Sequence, residues 1–277
     1  MTVQLRVGPF GIRLIGGPSH DIARRYKGYL NAAANDLELR LEVEASGQSA
    51  HADPRAVYFA ETRLQERQLS ITSTVVNARI DFAAARGYIK LRSHPRFGCI
   101  HYLENALRQV AQILAVSRGG LLLHASAVVR PHEDVAFVFM GRSGSGKTTI
   151  SRLLQSVGGT VLSDDLVLVE AGAVSGTPFF GDLREPLPSP ERRFPTGGLY
   201  VLEKAPDPSL RPIAARGQAT AELLANLPFV ECLDRGARER SIEIAKRVAS
   251  ATPFGVLRFR KDLSVLSQLD WKAAIPA

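Results

Sequence analysis

Apolar and polar residues alternate in several short stretches of the first ninety positions. The clearest is residues 37–43, where leucine or valine occupies every odd position and a charged residue every even one. A period of two is typical of a strand that buries one face. Similar stretches, separated by turn residues, lie at residues 3–7, 57–60, 69–76 and 88–91. The pattern predicts a β-rich N-terminal domain, residues 1–100, with a mostly antiparallel sheet.

The apolar period changes to that of a helix near residue 100. Leu103, Leu107, Val110 and Leu114 fall on one helical face, which Gly119-Gly120 would end. Further strands are predicted at residues 121–129, 136–140, 160–162, 199–202 and 254–259. Helices are predicted at residues 221–227, 242–248 and 262–269. The fold class predicted from this pattern is α/β, with a second domain over residues 101–277.

Residues 141–149 match the phosphate-binding template Gly-x-x-x-x-Gly-Lys-[Ser/Thr] at every constrained position. A buried strand is predicted before the loop and an amphipathic helix after it, a context that a Gly/Ser-rich linker would lack. In such a P-loop, Lys147 meets the β/γ-phosphate oxygens and the Thr148 hydroxyl ligates Mg²⁺. The predicted nucleotide-binding residues are Gly141, Ser143, Gly144, Ser145, Gly146, Lys147, Thr148 and Thr149.

Two adjacent carboxylates, Asp164 and Asp165, follow the P-loop after one helix and one short strand. Transport and motor ATPases carry the corresponding carboxylate much later in the chain, so this spacing favours a small kinase-type site. One carboxylate could hold Mg²⁺ while the other accepts the proton of an attacking hydroxyl. The alternative is a pair that caps a strand or turn. His124, alone in an apolar strand, would by itself be typical of a buried core histidine.

Three elements in order resemble the catalytic domain of HPr kinase/phosphorylase and the wider group of HPr-kinase-related serine kinases. They are the Leu-His-Ala-Ser segment around His124, the P-loop, and the Val-Leu-Ser-Asp-Asp segment at residues 161–165. The resemblance covers residues 119–185 and implies a P-loop kinase domain of the HPr kinase/carboxykinase type. It implies that Asp164 is the general base with His124 as its partner, and that Asp165 and Thr148 hold Mg²⁺. It further implies that Lys147 and Arg184 contact the transferred phosphoryl group.

The same resemblance implies an ATP- and Mg²⁺-dependent kinase whose partner is a protein or peptide with an acceptor serine, working in an oligomeric assembly. The characteristic N-terminal domain and the C-terminal arginine-containing loop motif of the bifunctional enzymes are not matched in this sequence. This favours the related kinases, including some that modify precursors of ribosomally made peptides. A nucleotide-dependent regulatory ATP-binding protein, a small-metabolite kinase and a carboxykinase relative stay open. A transport ATPase is disfavoured, because the chain lacks a Leu-Ser-Gly-Gly-Gln-like signature.

The composition limits the partners and the cellular compartment expected for this chain. The net charge is +8, but the excess comes from scattered arginines without a dense basic run, so no nucleic-acid partner is predicted. The two cysteines, Cys99 and Cys232, suggest neither a disulfide framework nor a zinc site, which favours a reducing cytoplasm. Neither a long apolar stretch nor a signal-like N-terminus is present, so membrane insertion and secretion are not expected.

Overall fold

The computed structural model describes residues 2–30, 35–44, 60–93, 98–183 and 191–271. Over these residues the chain has a mixed α/β fold with two mixed sheets, which confirms the predicted α/β class. The chain divides into two compact units. The first comprises Met1–Leu114 and Phe229–Arg238, and the second comprises Ala115–Pro228 and Glu239–Ala277.

The first unit is built on a sheet in which seven strands are described. Its elements are β1 (Thr2–Val7), β2 (Phe10–Gly16), α1 (Ser19–Arg25), β3 (Leu37–Glu44), β4 (Glu61–Gln65), β5 (Gln68–Thr72), β6 (Val76–Asp81), β7 (Arg86–Arg92) and α2 (Ile100–Ser117), whose last three residues fall in the second unit. The strand order is β1-β2-β3-β7-β6-β5-β4. The pairs β2–β3 and β3–β7 are parallel, and the other four pairs are antiparallel.

The alternating pattern correctly predicts β1, β3 and β7, whose inward residues are buried and whose intervening residues are largely polar. The stretch at residues 69–76 is not one strand. The hydroxyl of Ser73 accepts hydrogen bonds from the amides of Val75 and Val76, and this turn separates β5 from β6. Part of the stretch predicted at residues 57–60 lies outside the described residues. The pattern does not predict β2 or β4.

The second unit contains a sheet in which eight strands are described. The strands are β8 (Leu121–Val129), β9 (Ala136–Met140), β10 (Thr160–Ser163), β11 (Leu166–Glu170), β12 (Ala173–Ser175), β13 (Arg193–Lys204), β14 (Ser209–Pro212) and β15 (Phe254–Phe259). The helices are α3 (Lys147–Gln155), α4 (Arg216–Ala225) and α5 (Arg235–Ala251), whose first turn falls in the first unit. Two 3₁₀ segments, Val230–Cys232 in the first unit and Leu263–Leu269 in the second, complete the description.

Strand β9 lies at the centre of this sheet, antiparallel to β8 and parallel to β13, which in turn is parallel to β15. The predicted bounds of β8, β9 and β15 are confirmed to the residue. The pattern does not predict β11 or β12, and the segment predicted as a last helix is the 3₁₀ segment Leu263–Leu269.

Helix α3 is fixed to the sheet by an apolar cluster. Its members are Val128, Phe137, Phe139, Ile150, Leu154, Tyr200, Leu202, Leu257, Phe259, Val265, Leu269 and Trp271. Burying each large side chain of this kind contributes roughly 1.5–3 kcal/mol. The cluster therefore holds the N-terminus of α3 at the carboxyl end of β9, where the glycine-rich loop connects the two elements.

Candidate active site

Three glycines in the loop between β9 and α3 have positive φ angles. The φ angles are +144° at Gly141, +77° at Gly144 and +110° at Gly146, a region that side chains disfavour. A Cβ atom on Gly146 would also lie 2.6 Å from Cζ of Phe259. Glycine is thus required at this position both by backbone conformation and by the aromatic ring packed beneath the loop.

The N-terminus of α3 faces the same loop. No side-chain hydrogen bond caps this end of the helix within the described residues, and its N-cap is Gly146. The first amides of a helix lack intrahelical acceptors and carry the positive end of the helix dipole. The loop and the helix together offer an anion a set of converging N–H donors.

The side chain of Lys147 lies back along the loop. Its Nζ donates to the carbonyl oxygen of Gly141 at 2.8 Å and to that of Arg142 at 3.4 Å. Burial lowers the pKa of this amine, and the negative charge of Asp165 opposes that shift in part. A buried ammonium that contacts neutral carbonyls gains from an added anion, so phosphate oxygens would find both charge and donors here.

Asp164 is almost fully buried and binds the segment that follows β12. Its Oδ1 accepts from the amide of Gly181 at 2.9 Å, and its Oδ2 accepts from the amides of Asp182 and Leu183 at 3.0 and 3.2 Å. The hydroxyl of Thr148 also donates to Oδ2, at 3.4 Å. Four donors therefore hold this carboxylate in place.

Asp165 is the carboxylate that pairs with His124. Nδ1 of the imidazole lies 3.1 Å from Oδ1 of Asp165, and the two side chains are 43% and 17% exposed. The reason is the register of β11 on β8, which sets Leu166 opposite His124, while the amide of Ala125 donates to the carbonyl of Asp165. The resemblance implies Asp164 as the histidine's partner, whereas the ion pair that His124 forms in the structure is with Asp165.

The buried Ser163 fixes the turn between β10 and β11, and both aspartates lie in that turn. The hydroxyl of Ser163 donates to the carbonyl of Phe179 at 2.8 Å and accepts from the amides of Asp165 and Leu166 at 3.2 and 3.3 Å. This turn ends β10 and begins β11. The two neighbouring carboxylates consequently have different partners: Asp164 accepts from Thr148, and Asp165 pairs with His124.

Asn226, immediately after α4, supports the P-loop from a distant part of the sequence. Its Oδ1 accepts from the amide of Gly141 at 3.1 Å, and its backbone carbonyl accepts from the amide of His124 at 2.8 Å. Its own Nδ2 donates to the carbonyl of Glu222, which fixes the orientation of the amide. The sequence pattern gives no signal for this residue, because its partners lie 85 and 102 positions away (226 − 141 and 226 − 124).

These groups surround a cleft of about 350 Å³. Its lining is His124, Ser143, Gly144, Gly146, Lys147, Thr148, Thr149, Asp164, Asp165, Gly181, Asp182 and Lys204. The structure thus brings most of the predicted site residues together. Gly141 and Ser145 line a neighbouring groove instead, and Arg184 lies outside the described residues. Gly181, Asp182 and Lys204 are additional lining residues that the sequence pattern does not predict.

Two larger spaces share lining residues with the cleft. A recess of about 560 Å³ shares Gly146, Thr149 and Lys204 with the cleft and is walled mainly by apolar groups, among them Phe259. A separate groove of about 830 Å³ shares His124 with the cleft. A molecule bound along the cleft therefore has room for a bulky group on the Thr149 side, and a second molecule has access on the His124 side.

The donor set suits a divalent cation that also contacts phosphate. Magnesium sites of this kind use one or two protein oxygens with phosphate oxygens and waters, and the Thr148 hydroxyl beside the Asp164 carboxylate supplies such oxygens. Over the described ranges, no group of three or more His, Cys, Asp or Glu side chains could hold a metal ion by itself. Nor is any helix in that part of the chain both long and apolar enough to cross a bilayer.

A scan against protein-family models found no family that matches this chain, and a search of the curated proteins found none similar to it.

Proposed function

We propose that this chain is an ATP- and Mg²⁺-dependent kinase that transfers the γ-phosphoryl group to a serine hydroxyl of a protein or peptide. The observation that carries the proposal is the His124–Asp165 pair, which lines the same cleft as Lys147 and Thr148. A protein that only binds a nucleotide needs the loop and the lysine. A kinase also needs a carboxylate held beside the phosphates to receive a proton from the acceptor.

The triphosphate would lie across the cleft with its phosphates on the loop amides and on Lys147. Thr149 and Lys204 border both the cleft and the apolar recess, so the ribose and base would extend into that recess. The γ-phosphate would then lie toward Asp165. Bound Mg²⁺ would supply charge neutralisation between the phosphates, and Thr148 and Asp164 are the residues that would hold it.

The contacts of the two aspartates support a different role for each. Asp164, already occupied by four donors, would orient Thr148 and contact the cation through water. Asp165 pairs with His124 and lines the cleft beside Lys147 and Thr148, which suits it to act as the general base. This assignment reverses the roles that the family resemblance implied for Asp164 and Asp165.

In the transfer step the acceptor serine would enter on the His124 side. Its oxygen forms a bond to the γ-phosphorus while the bond from that phosphorus to the β-γ bridging oxygen breaks. The serine proton moves to Asp165, and ADP carries away the electron pair of the broken bond. His124 would keep the Asp165 carboxylate oriented toward the acceptor and stabilise its charge before the proton arrives.

The test uses γ-labelled ATP with a library of serine-containing peptides and a matched library in which alanine replaces each serine. The proposal expects label on serine peptides alone. Asp165→Asn should lower transfer by about 10²- to 10⁴-fold while nucleotide binding persists, whereas Lys147→Ala should lose nucleotide binding. Asp164→Asn, the matched variant, should instead raise the Mg²⁺ concentration needed for half-maximal transfer.

Two results would contradict the proposal at different points. Release of labelled phosphate to water with no labelled peptide would favour a regulatory ATPase. Full transfer by Asp165→Asn, together with loss of transfer by Asp164→Asn at saturating Mg²⁺, would return the base role to Asp164.

A further inference from the structure

The solvent face of the first unit's sheet carries a line of cationic side chains that the proposed kinase chemistry does not use. Cross-strand pairing aligns Arg40 on β3 with Tyr88 on β7, Tyr88 with Arg79 on β6, Arg79 with Ser70 on β5, and Ser70 with Arg63 on β4. We call these five residues the arginine row. All five line one shallow depression of about 760 Å³.

The charges in the arginine row are largely uncompensated. Within the described part of the chain, the guanidinium groups of Arg40 and Arg79 form neither an ion pair nor a hydrogen bond. Arg63 lies 3.7 Å from Glu61, with both side chains more than 70% exposed. Surface pairs of that kind contribute little, so the row keeps most of its three positive charges available.

The neighbouring rows on the same face carry the opposite sign. One is Glu38, Arg86, Asp81, Gln68 and Gln65, and the other is Glu42, Lys90, Asn77, Thr72 and Glu61. Each contains two acidic residues and one basic residue, a net charge of −1 (1 − 2). A broad polyanion such as nucleic acid would be repelled by the carboxylates on both sides of the arginine row. A single extended polypeptide chain is narrow enough to contact the arginine row alone.

The spacing of the arginines selects a conformation for that ligand. Arg40, Arg79 and Arg63 lie on alternate strands, and strands are about 4.7–4.9 Å apart, so successive arginines are roughly 9.5 Å apart. A polyproline II helix repeats every three residues with about 3.1 Å rise per residue, so side chains at i, i+3 and i+6 share a face at roughly 9.3 Å intervals. Residues three apart on a β-strand would point to opposite faces.

Tyr88 occupies the centre of the gap between Arg40 and Arg79. Aromatic side chains are the usual surface on which polyproline II segments pack. We propose that the arginine row binds an extended, acidic polypeptide segment of a partner protein, in polyproline II conformation, with a carboxylate at every third residue. This docking site does not depend on the proposed kinase activity.

The test measures binding of the full chain to a fluorescein-labelled peptide, Glu-Pro-Pro-Glu-Pro-Pro-Glu, by anisotropy at low salt. Two probes of equal charge serve as comparisons: the same residues in the order Pro-Glu-Glu-Glu-Pro-Pro-Pro, and a short oligothymidylate. The expected result is saturable binding of the first peptide, weaker binding of both comparisons, and loss of affinity as salt is raised.

Substitutions in the sheet test whether peptide binding depends on the arginine row. One exposed charge pair changes affinity by up to about fivefold, so Arg40→Ala with Arg79→Ala should weaken binding by up to about 25-fold. Lys90→Ala is the matched control, because that amine on β7 is already paired with Glu42 at 3.1 Å, and it should change affinity by less than about twofold.

If the double alanine variant does not fold, as judged by circular dichroism, Arg40→Lys with Arg79→Lys replaces it. That variant keeps the charges but loses the planar fork of each arginine, and a measurable loss of affinity is expected. The proposal is overturned if the first peptide does not bind, if both arginine variants bind it as the wild type does, or if the permuted peptide binds equally well. Tighter binding of the oligothymidylate would assign the face to nucleic acid instead.

Discussion

Replacing Gly146 by alanine should destabilise the second unit in a way that can be worked out from the structure. At φ +110° a side chain is strained, which costs about 1–3 kcal/mol. The new Cβ would also lie 2.6 Å from Cζ of Phe259 and 3.2 Å from its Cε1. Phe259 is 2% exposed and belongs to the apolar cluster under α3, so a shift of its ring would disturb the packing of that cluster.

Overpacking of that kind costs about a further 1–3 kcal/mol, so the expected total for Gly146→Ala is about 2–6 kcal/mol. This is a large part of the 5–15 kcal/mol that typically stabilises a folded protein. Gly144→Ala is the matched control, because Gly144 also has a positive φ, +77°, but a Cβ there would meet nothing within 4 Å. The control should lose only the strain, about 1–2 kcal/mol.

The chain's single tryptophan makes the measurement specific to this unit. Trp271 lies in the same apolar cluster as Phe259, so its fluorescence during urea unfolding reports on the cluster itself. Gly146→Ala should lower the unfolding free energy further than Gly144→Ala, and adding Phe259→Leu should recover part of the difference. Equal unfolding free energies for the two alanine variants would refute the reasoning, because strain alone would then account for both.

Two further predictions concern residues outside the sequence motifs. Asn226→Ala leaves the amide of Gly141 without its acceptor, so the unfolding free energy should fall by about 1–3 kcal/mol and the Kd for ATP should rise. Thermal melting and nucleotide titration measure these two quantities. If both are unchanged, Asn226 does not stabilise the loop. Burial raises the pKa of the Cys232 thiol to about 12 from an ordinary value of 9.0, so the folded chain keeps a proton that the unfolded chain loses as pH rises from about 9 to about 12. The unfolding free energy should therefore fall by about 1 kcal/mol between pH 8 and pH 10, and Cys232→Ala should abolish that part of the decline in urea titrations.

The local parts of the site were predictable from the sequence because they are consecutive in it. A buried strand, six loop residues and an amphipathic helix follow one another without interruption, so periodicity and residue type were enough to predict β9, the P-loop and α3. Asp164 and Asp165 could be identified for the same reason, as the first polar pair after the next strand. Their individual partners could not, because those depend on the turn at Ser163 and on the register of β11 against β8.

The sequence by itself determined the α/β class, the strands with a clear apolar pattern, and the residue types that could bind a phosphate. The tertiary structure decided which side chains meet. His124 contacts Asp165, and Asn226 reaches Gly141, through strands and helices that are distant along the chain. The arginine row exists because β7 lies between β3 and β6 in the sheet order. Pairing between distant strands depends on burial and register summed over a whole sheet, and no short window of sequence carries that information.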